Sequence, residues 1–141
     1  MITLSRIYPG IYLFVNGTLY CVLAWLFLVE PLVWFDRLRV NLLDASGYAE
    51  LKTMYVGVMG ALGIFFLSAA LLETWRLPGV SLAVISYAGL AAVRGWEIFQ
   101  DQAYNELIFQ LLIIEMVDLL AGVLALYCLY LVRRQWRNPY L

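Results

Sequence analysis

Four stretches of the chain are almost wholly apolar, and the polar residues gather in short runs between them. The stretches cover residues 11–29, 51–72, 80–99 and 107–132. A helix needs about 20 apolar residues to cross the hydrocarbon layer of a bilayer. Each stretch meets that length, and the fourth is long enough to tilt or protrude. The pattern predicts an all-α fold, an integral membrane bundle of four transmembrane helices in one domain over residues 1–141. The first stretch is longer than a signal-peptide core, and no small-x-small cleavage site follows it, so it reads as a retained helix. Glu73, Trp75, Arg76 and Pro78 mark a short turn between the second and third helices.

The connection over residues 30–50 is the only long one. Pro31 ends the first helix. Trp34, Phe35, Leu38, Leu42 and Leu43 then alternate with Asp36, Arg37 and Arg39. This amphipathic spacing predicts an interfacial segment between helices 1 and 2, in preference to a lid over the bundle. The two halves of the chain show no internal repeat, which argues against an inverted-repeat transporter within one chain.

An even number of spans puts both termini on one side. That side carries Arg6, Arg76, Arg133, Arg134 and Arg137, against Arg37, Arg39 and Lys52 on the other. The bias of basic residues toward the cytoplasm then predicts cytoplasmic termini.

Composition agrees with a lipid environment and narrows the chemistry. Of the 141 residues, 65% are hydrophobic and only 13% are charged. A net charge of −1 offers no basic field for nucleic acid. There is no histidine, which removes His-ligated metals and His-assisted nucleophiles. The two cysteines, Cys21 and Cys128, lie in apolar runs and read as packing residues. Neither a metal nor a cofactor is expected, and no catalytic residue stands out.

The candidate chemistry lies in the polar residues inside the spans. Such residues usually face the bundle interior and one another. At 100° per residue, Tyr12, Asn16, Tyr20 and Phe27 share a stripe on the first helix. On the second helix Glu50, Thr53, Gly57, Ala61 and Ser68 do so. On the third the stripe is Tyr87, Arg94, Glu97 and Asp101, and on the fourth Ile108, Leu111, Glu115, Asp118 and Gly122. Four such stripes are expected to converge on one interior. Counting from the turn near residues 102–105, Arg94 and Glu115 differ in depth by roughly 6 Å and Arg94 and Asp118 by roughly 10 Å. The first gap suits an extended arginine, so Arg94 and Glu115 are expected to pair. Glu50 and Glu97 fall nearer the outer mouth. With one arginine facing Glu97, Glu115 and Asp118, the cluster would carry excess negative charge, and Asp118 is expected to hold a proton at neutral pH. Asn16, Tyr20 and Tyr87 are supporting polar groups. Gly57, Gly60 and Gly63 recur at steps of three and read as helix-packing positions, with an oligomer contact through the same face as a further expectation.

Residues 49–70 read AELKTMYVGVMGALGIFFLSAA. This stretch resembles the start of the second helix in a family of small bacterial four-helix inner-membrane proteins known only as a domain of unknown function. Glu50, Lys52, Tyr55, Gly57 and Gly63 carry the match. Arg94 with Gly95, and Glu115, correspond to features of the family's third and fourth helices. Where the family has paired glycines this chain has Val56-Gly57. The resemblance implies a bacterial inner-membrane location and the same architecture, and it implies no activity.

Three functions fit these observations. The first is binding or transport of a small molecule with proton linkage at Arg94, Glu115 and Asp118. The second is an accessory or assembly subunit of a larger membrane complex, its buried charges fixing helix packing. A membrane enzyme ranks last, because Glu115 and Asp118 alone supply too few groups for a metal or a paired acid-base site. The partners expected are the bilayer, a second copy of the chain or another membrane protein.

Overall fold

The computed structural model describes residues 2–40, 44–101 and 106–137. Leu42, Leu43, the turn near residues 102–105 and Tyr140 lie outside them, as do the side chains of Asp101, Trp136 and Arg137. Among the described residues there are helices and turns and no strand. Helix α1 covers Ile2–Val29 and α2 covers Pro31–Arg37. Helix α3 (Ala45–Lys52) runs through a π-helical segment, Thr53–Val58, into α4 (Met59–Leu71). A 3₁₀ turn at Glu73–Trp75 leads into α5 (Arg76–Asp101), and α6 is Glu106–Arg137. The four helices long and apolar enough to cross a membrane are Ser5–Val29, Ala45–Leu71, Glu73–Gln100 and Glu106–Arg134. The protein is by that measure an integral membrane protein with an all-α four-helix bundle.

Each span starts before its apolar stretch, and the third and fourth also end beyond it. At the start of α5, Pro78 sits inside the first turn of the helix rather than in a connecting loop. There the missing N–H would have had no intrahelical partner, and the fixed φ suits the helix.

Helix α1 packs closely on α4 and also against α6, while α5 and α6 form a hairpin. Backbone proximity sets the α1–α4 contact. A Cβ built on Gly63 would stand 2.6 Å from Cys21 Sγ and 3.0 Å from the Gly17 carbonyl oxygen. One built on Gly17 would stand 2.8 Å from the Leu67 amide nitrogen. Only glycine allows the two helices to approach this far. A Cβ on Gly60 would meet Ala24 in ordinary contact, whereas Gly57 is exposed and a Cβ there would meet only Thr53 of its own segment, at 4.0 Å. The packing face is therefore Gly60–Gly63 and not Gly57, and α1 already occupies it within the chain.

The second helix also departs from the expected interior stripe. Glu50, Thr53, Gly57 and Ala61 are all exposed, and α4 instead buries Gly63, Phe66, Ala69 and Ala70. The π segment is the physical reason at the start of this span. Its wider turn breaks the 100° phase that would carry a face from α3 into α4. Beyond it, close glycine packing on α1 decides which side of α4 turns inward.

The connection after α1 folds back on the bundle. Helix α2 ends in a Schellman arrangement: the Arg39 amide donates to the Asp36 carbonyl (2.8 Å) and the Val40 amide to the Phe35 carbonyl (2.9 Å). Arg39 has φ 55°, a left-handed position usually given to glycine. Phe35 is 1% exposed and packs with Phe27, Tyr48 and Tyr55. Leu32 and Val33 stay exposed on the opposite side. The segment thus combines a docked aromatic face with an outward apolar face. Asp44 caps α3 by accepting from the Gly47 amide at 2.7 Å.

Candidate functional site

The α1 stripe does turn inward. Tyr12, Asn16, Tyr20 and Phe27 are all buried. Their spacing of four, four and seven keeps them on one face of a regular helix. The α6 stripe behaves alike: Glu115 and Gly122 are buried, and Ile108, Leu111 and Asp118 are half-buried. Gly122 lets α6 come close, since a Cβ there would meet the Tyr12 hydroxyl and Val84 at 2.7 Å.

Side chains from α1 tie these helices together. The Tyr8 hydroxyl donates to the Ala121 carbonyl (3.1 Å) and the Tyr12 hydroxyl to the Asp118 carbonyl (3.2 Å). Asn16 donates from Nδ2 to the Tyr12 carbonyl at 3.0 Å, and its Oδ1 accepts from the Tyr87 hydroxyl on α5. The Asp118 side chain lies beside Asn16, and the Tyr20 and Tyr87 rings pack edge to face with centroids 6.3 Å apart. Asp118, Asn16, Tyr87 and Tyr20 are therefore neighbours along a polar line across α6, α1 and α5, with the Tyr87–Asn16 hydrogen bond at its centre. Buried polar groups survive in such a place only when they are paired, as Asn16 and Tyr87 are.

The expected ion pair is present. Arg94 Nε donates to both oxygens of Glu115, each at 3.0 Å, and Nη2 donates to Oε1 at 2.8 Å. The arginine side chain is 26% exposed and the carboxylate 8%. The one-turn offset across the α5–α6 hairpin places them together. Asp118 makes no such bond with Arg94. Glu97 and Glu50 are exposed and do not join the pair. Side chains near span ends can extend toward the polar interface, which removes the reason for carboxylates there to turn inward. The sequence-predicted cluster thus divides into a pair (Arg94, Glu115), a separate acid on the tyrosine line (Asp118) and two outlying acids. Among the described residues no group of His, Cys, Asp and Glu is arranged to hold a metal.

A feature that the stripes did not foretell lies between α4 and α5. Residues of these helices and of the π segment bound a cavity of about 800 Å³. Met54 and Val58 of the π segment and Ile85, Gly89 and Val93 of α5 form its apolar walls. Tyr20, Arg94 and Glu97 contribute polar groups to it. Tyr55 lines it too, and is anchored by stacking on Phe27 with ring centroids 4.3 Å apart. A Cβ on Gly89 would meet nothing within 4 Å, so the backbone itself forms part of an open wall. The volume falls within the roughly 300–1,000 Å³ of small-molecule sites. Met54, Tyr55 and Val58 were not expected as site residues. The available signal was the resemblance at Tyr55, and the π segment has no spacing signature of its own.

The polar line and the cavity meet at Tyr20, and the ion pair and the cavity meet at Arg94. No protein-family model matches the chain, and no curated protein or solved structure matches it significantly.

Proposed function

We propose that this membrane protein binds a neutral amphiphilic small molecule from the bilayer in the groove between α4 and α5. The observation that carries this reading is the cavity of about 800 Å³ with apolar walls and Tyr20, Arg94 and Glu97 among its lining. Its apolar walls suit a hydrocarbon body. Arg94 and the Tyr20 hydroxyl are donors for a carbonyl or hydroxyl head. Glu115 neutralises Arg94 from behind, and Glu97 adds negative charge beside it. An anionic head would gain little there, which favours a neutral acceptor over a carboxylate or phosphate.

Proton linkage extends the same reading. Asp118 is the acid at the far end of the line that reaches the groove through Asn16, Tyr87 and Tyr20. A change in its protonation would be felt at Asn16 and at the Tyr87 hydroxyl that Asn16 accepts from, and Tyr87 packs on the ring of Tyr20 in the groove. The resemblance over residues 49–70 and the excess of arginine on the terminal side support a bacterial inner-membrane location with cytoplasmic termini.

The test is mass spectrometry of small molecules retained by the purified protein, with Gly89→Leu as the blocking variant. The new side chain enters open space, so the fold is kept while the groove is filled. Gly95→Leu is the control, since Gly95 also has open space beside it and does not line the groove. Loss of a neutral amphiphile in Gly89→Leu alone supports the proposal. Equal retention in all three proteins contradicts it.

A further inference from the structure

A second site lies at the end of the bundle where α1 begins and α6 finishes. There a cavity of about 250 Å³ is lined by Arg6, Glu73, Arg76, Leu129, Val132 and Arg133. Among the described residues, three arginines and one glutamate line it. An adjoining cavity of about 360 Å³ shares Arg6, Glu73 and Arg76. It continues along α1 past Ile7, Ile11 and Phe14, with Leu71 of α4 on its other wall. One space is basic, the next is apolar, and they join at Arg76.

Arg76 is held in place by backbone. Its Nε and Nη2 donate to the Ala70 carbonyl at 3.4 Å each, and Nη1 donates to the Arg6 carbonyl at 3.2 Å. Nη1 also reaches Glu73 Oε1 at 3.4 Å, but the Glu73 side chain is 83% exposed. That exposed pair is weak and well screened. The carbonyl bonds fix the guanidinium plane over Gly10 without neutralising its charge. Arg76 thus contributes a fixed charge rather than a bidentate edge, and the two arginines beside it add charge-assisted donors for phosphate oxygens.

We infer that this end of the bundle binds a phosphate group, that of an anionic phospholipid whose acyl chain lies in the apolar cavity along α1. Basic pockets between helices at the membrane surface favour such headgroups. The continuous apolar cavity selects a lipid as the phosphate source over a free phosphate ester. The site is separate from the α4–α5 groove, which shares none of these residues.

The experiment is native mass spectrometry of the delipidated full chain in mild detergent, titrated with phosphatidylglycerol, phosphatidylcholine and glycerol 3-phosphate. Arg6→Gln and Arg133→Gln are the test variants, and Arg76 is left intact because it ties the helix ends together. Arg134→Gln is the control, an exposed neighbour outside the cavity. Arg133→Lys keeps the charge and separates loss of attraction from loss of fold. Each Gln variant is expected to weaken phosphatidylglycerol binding about fivefold, with Arg134→Gln unchanged and Arg133→Lys close to wild type. Phosphatidylglycerol binding tighter than both phosphatidylcholine and glycerol 3-phosphate supports the lipid assignment. Glycerol 3-phosphate binding equally well, with the same arginine dependence, supports the phosphate site and assigns it to a free ester. Equal binding of the two lipids, or no effect of Arg6→Gln and Arg133→Gln, overturns the inference.

Discussion

Replacing Gly63 by alanine tests the closest contact in the bundle. The added Cβ would stand 2.6 Å from Cys21 Sγ, 2.9 Å from the Cys21 amide nitrogen and 3.0 Å from the Gly17 carbonyl oxygen. Ordinary contact begins at 3.4 Å, so the shortfall is roughly 0.4–0.8 Å. The sulfur can rotate aside, but the two backbone atoms belong to α1 and move only with that helix. Overpacking of this kind costs about 1–3 kcal/mol. Alanine regains about 1 kcal/mol of helix propensity over glycine. The expected net loss is therefore about 1–2 kcal/mol at the upper part of the range. Gly89→Ala isolates the propensity gain, because its Cβ meets nothing within 4 Å, and it should stabilise by about 0.5–1 kcal/mol. Reversible unfolding in mixed micelles, followed by helix circular dichroism, reads both variants. Opposite signs are predicted within one molecule. A Gly63→Ala protein as stable as Gly89→Ala would refute the proposed contact between α1 and α4.

Glu115→Gln leaves the Arg94 charge without its carboxylate inside a span and should cost about 3–5 kcal/mol in the same unfolding assay, with much of the loss recovered by Arg94→Met combined with Glu115→Leu. Arg39→Gly relieves a left-handed residue at the end of α2 and should raise stability by about 1 kcal/mol, read as a higher midpoint of unfolding. Asp118→Asn keeps the shape of the side chain and removes its titration, so ligand retention that changes with pH in the wild type should become flat in the variant, with the helix content unchanged.

The spans, the inward faces of α1 and α6 and the Arg94–Glu115 pair were legible in the sequence for one reason. Each lies on a regular α-helix, where a 100° step per residue carries a face faithfully from end to end. Tyr12, Asn16 and Tyr20 obey that step, and so do Glu115, Asp118 and Gly122. The second span does not, because the π segment at Thr53–Val58 interrupts the phase. A reader of Glu50, Thr53 and Gly57 as an interior stripe is misled at that point. Glu97 belongs to the correct helix but lies near its end, where solvent is within reach. The groove was illegible for a different reason. It exists because α4 and α5 hold apart over part of their length, and no residue pattern states where two helices fail to touch. The basic pocket is intermediate: Arg6, Arg76 and Arg133 were visible as a count that oriented the chain, while their common cavity required the fold.

Photo-crosslinking measures groove occupancy most directly. A long-chain methyl ketone carrying a diazirine on its chain would be incorporated into membranes containing the protein, and labelled peptides mapped by mass spectrometry. The account predicts labels concentrated at Met54, Val58, Ile85 and Val93, suppressed by Gly89→Leu, and sparse at the exposed lipid face of Ile113 and Val117. Uniform labelling around the bundle, unaffected by Gly89→Leu, would show that the ketone behaves as ordinary annular lipid and would contradict the proposed site.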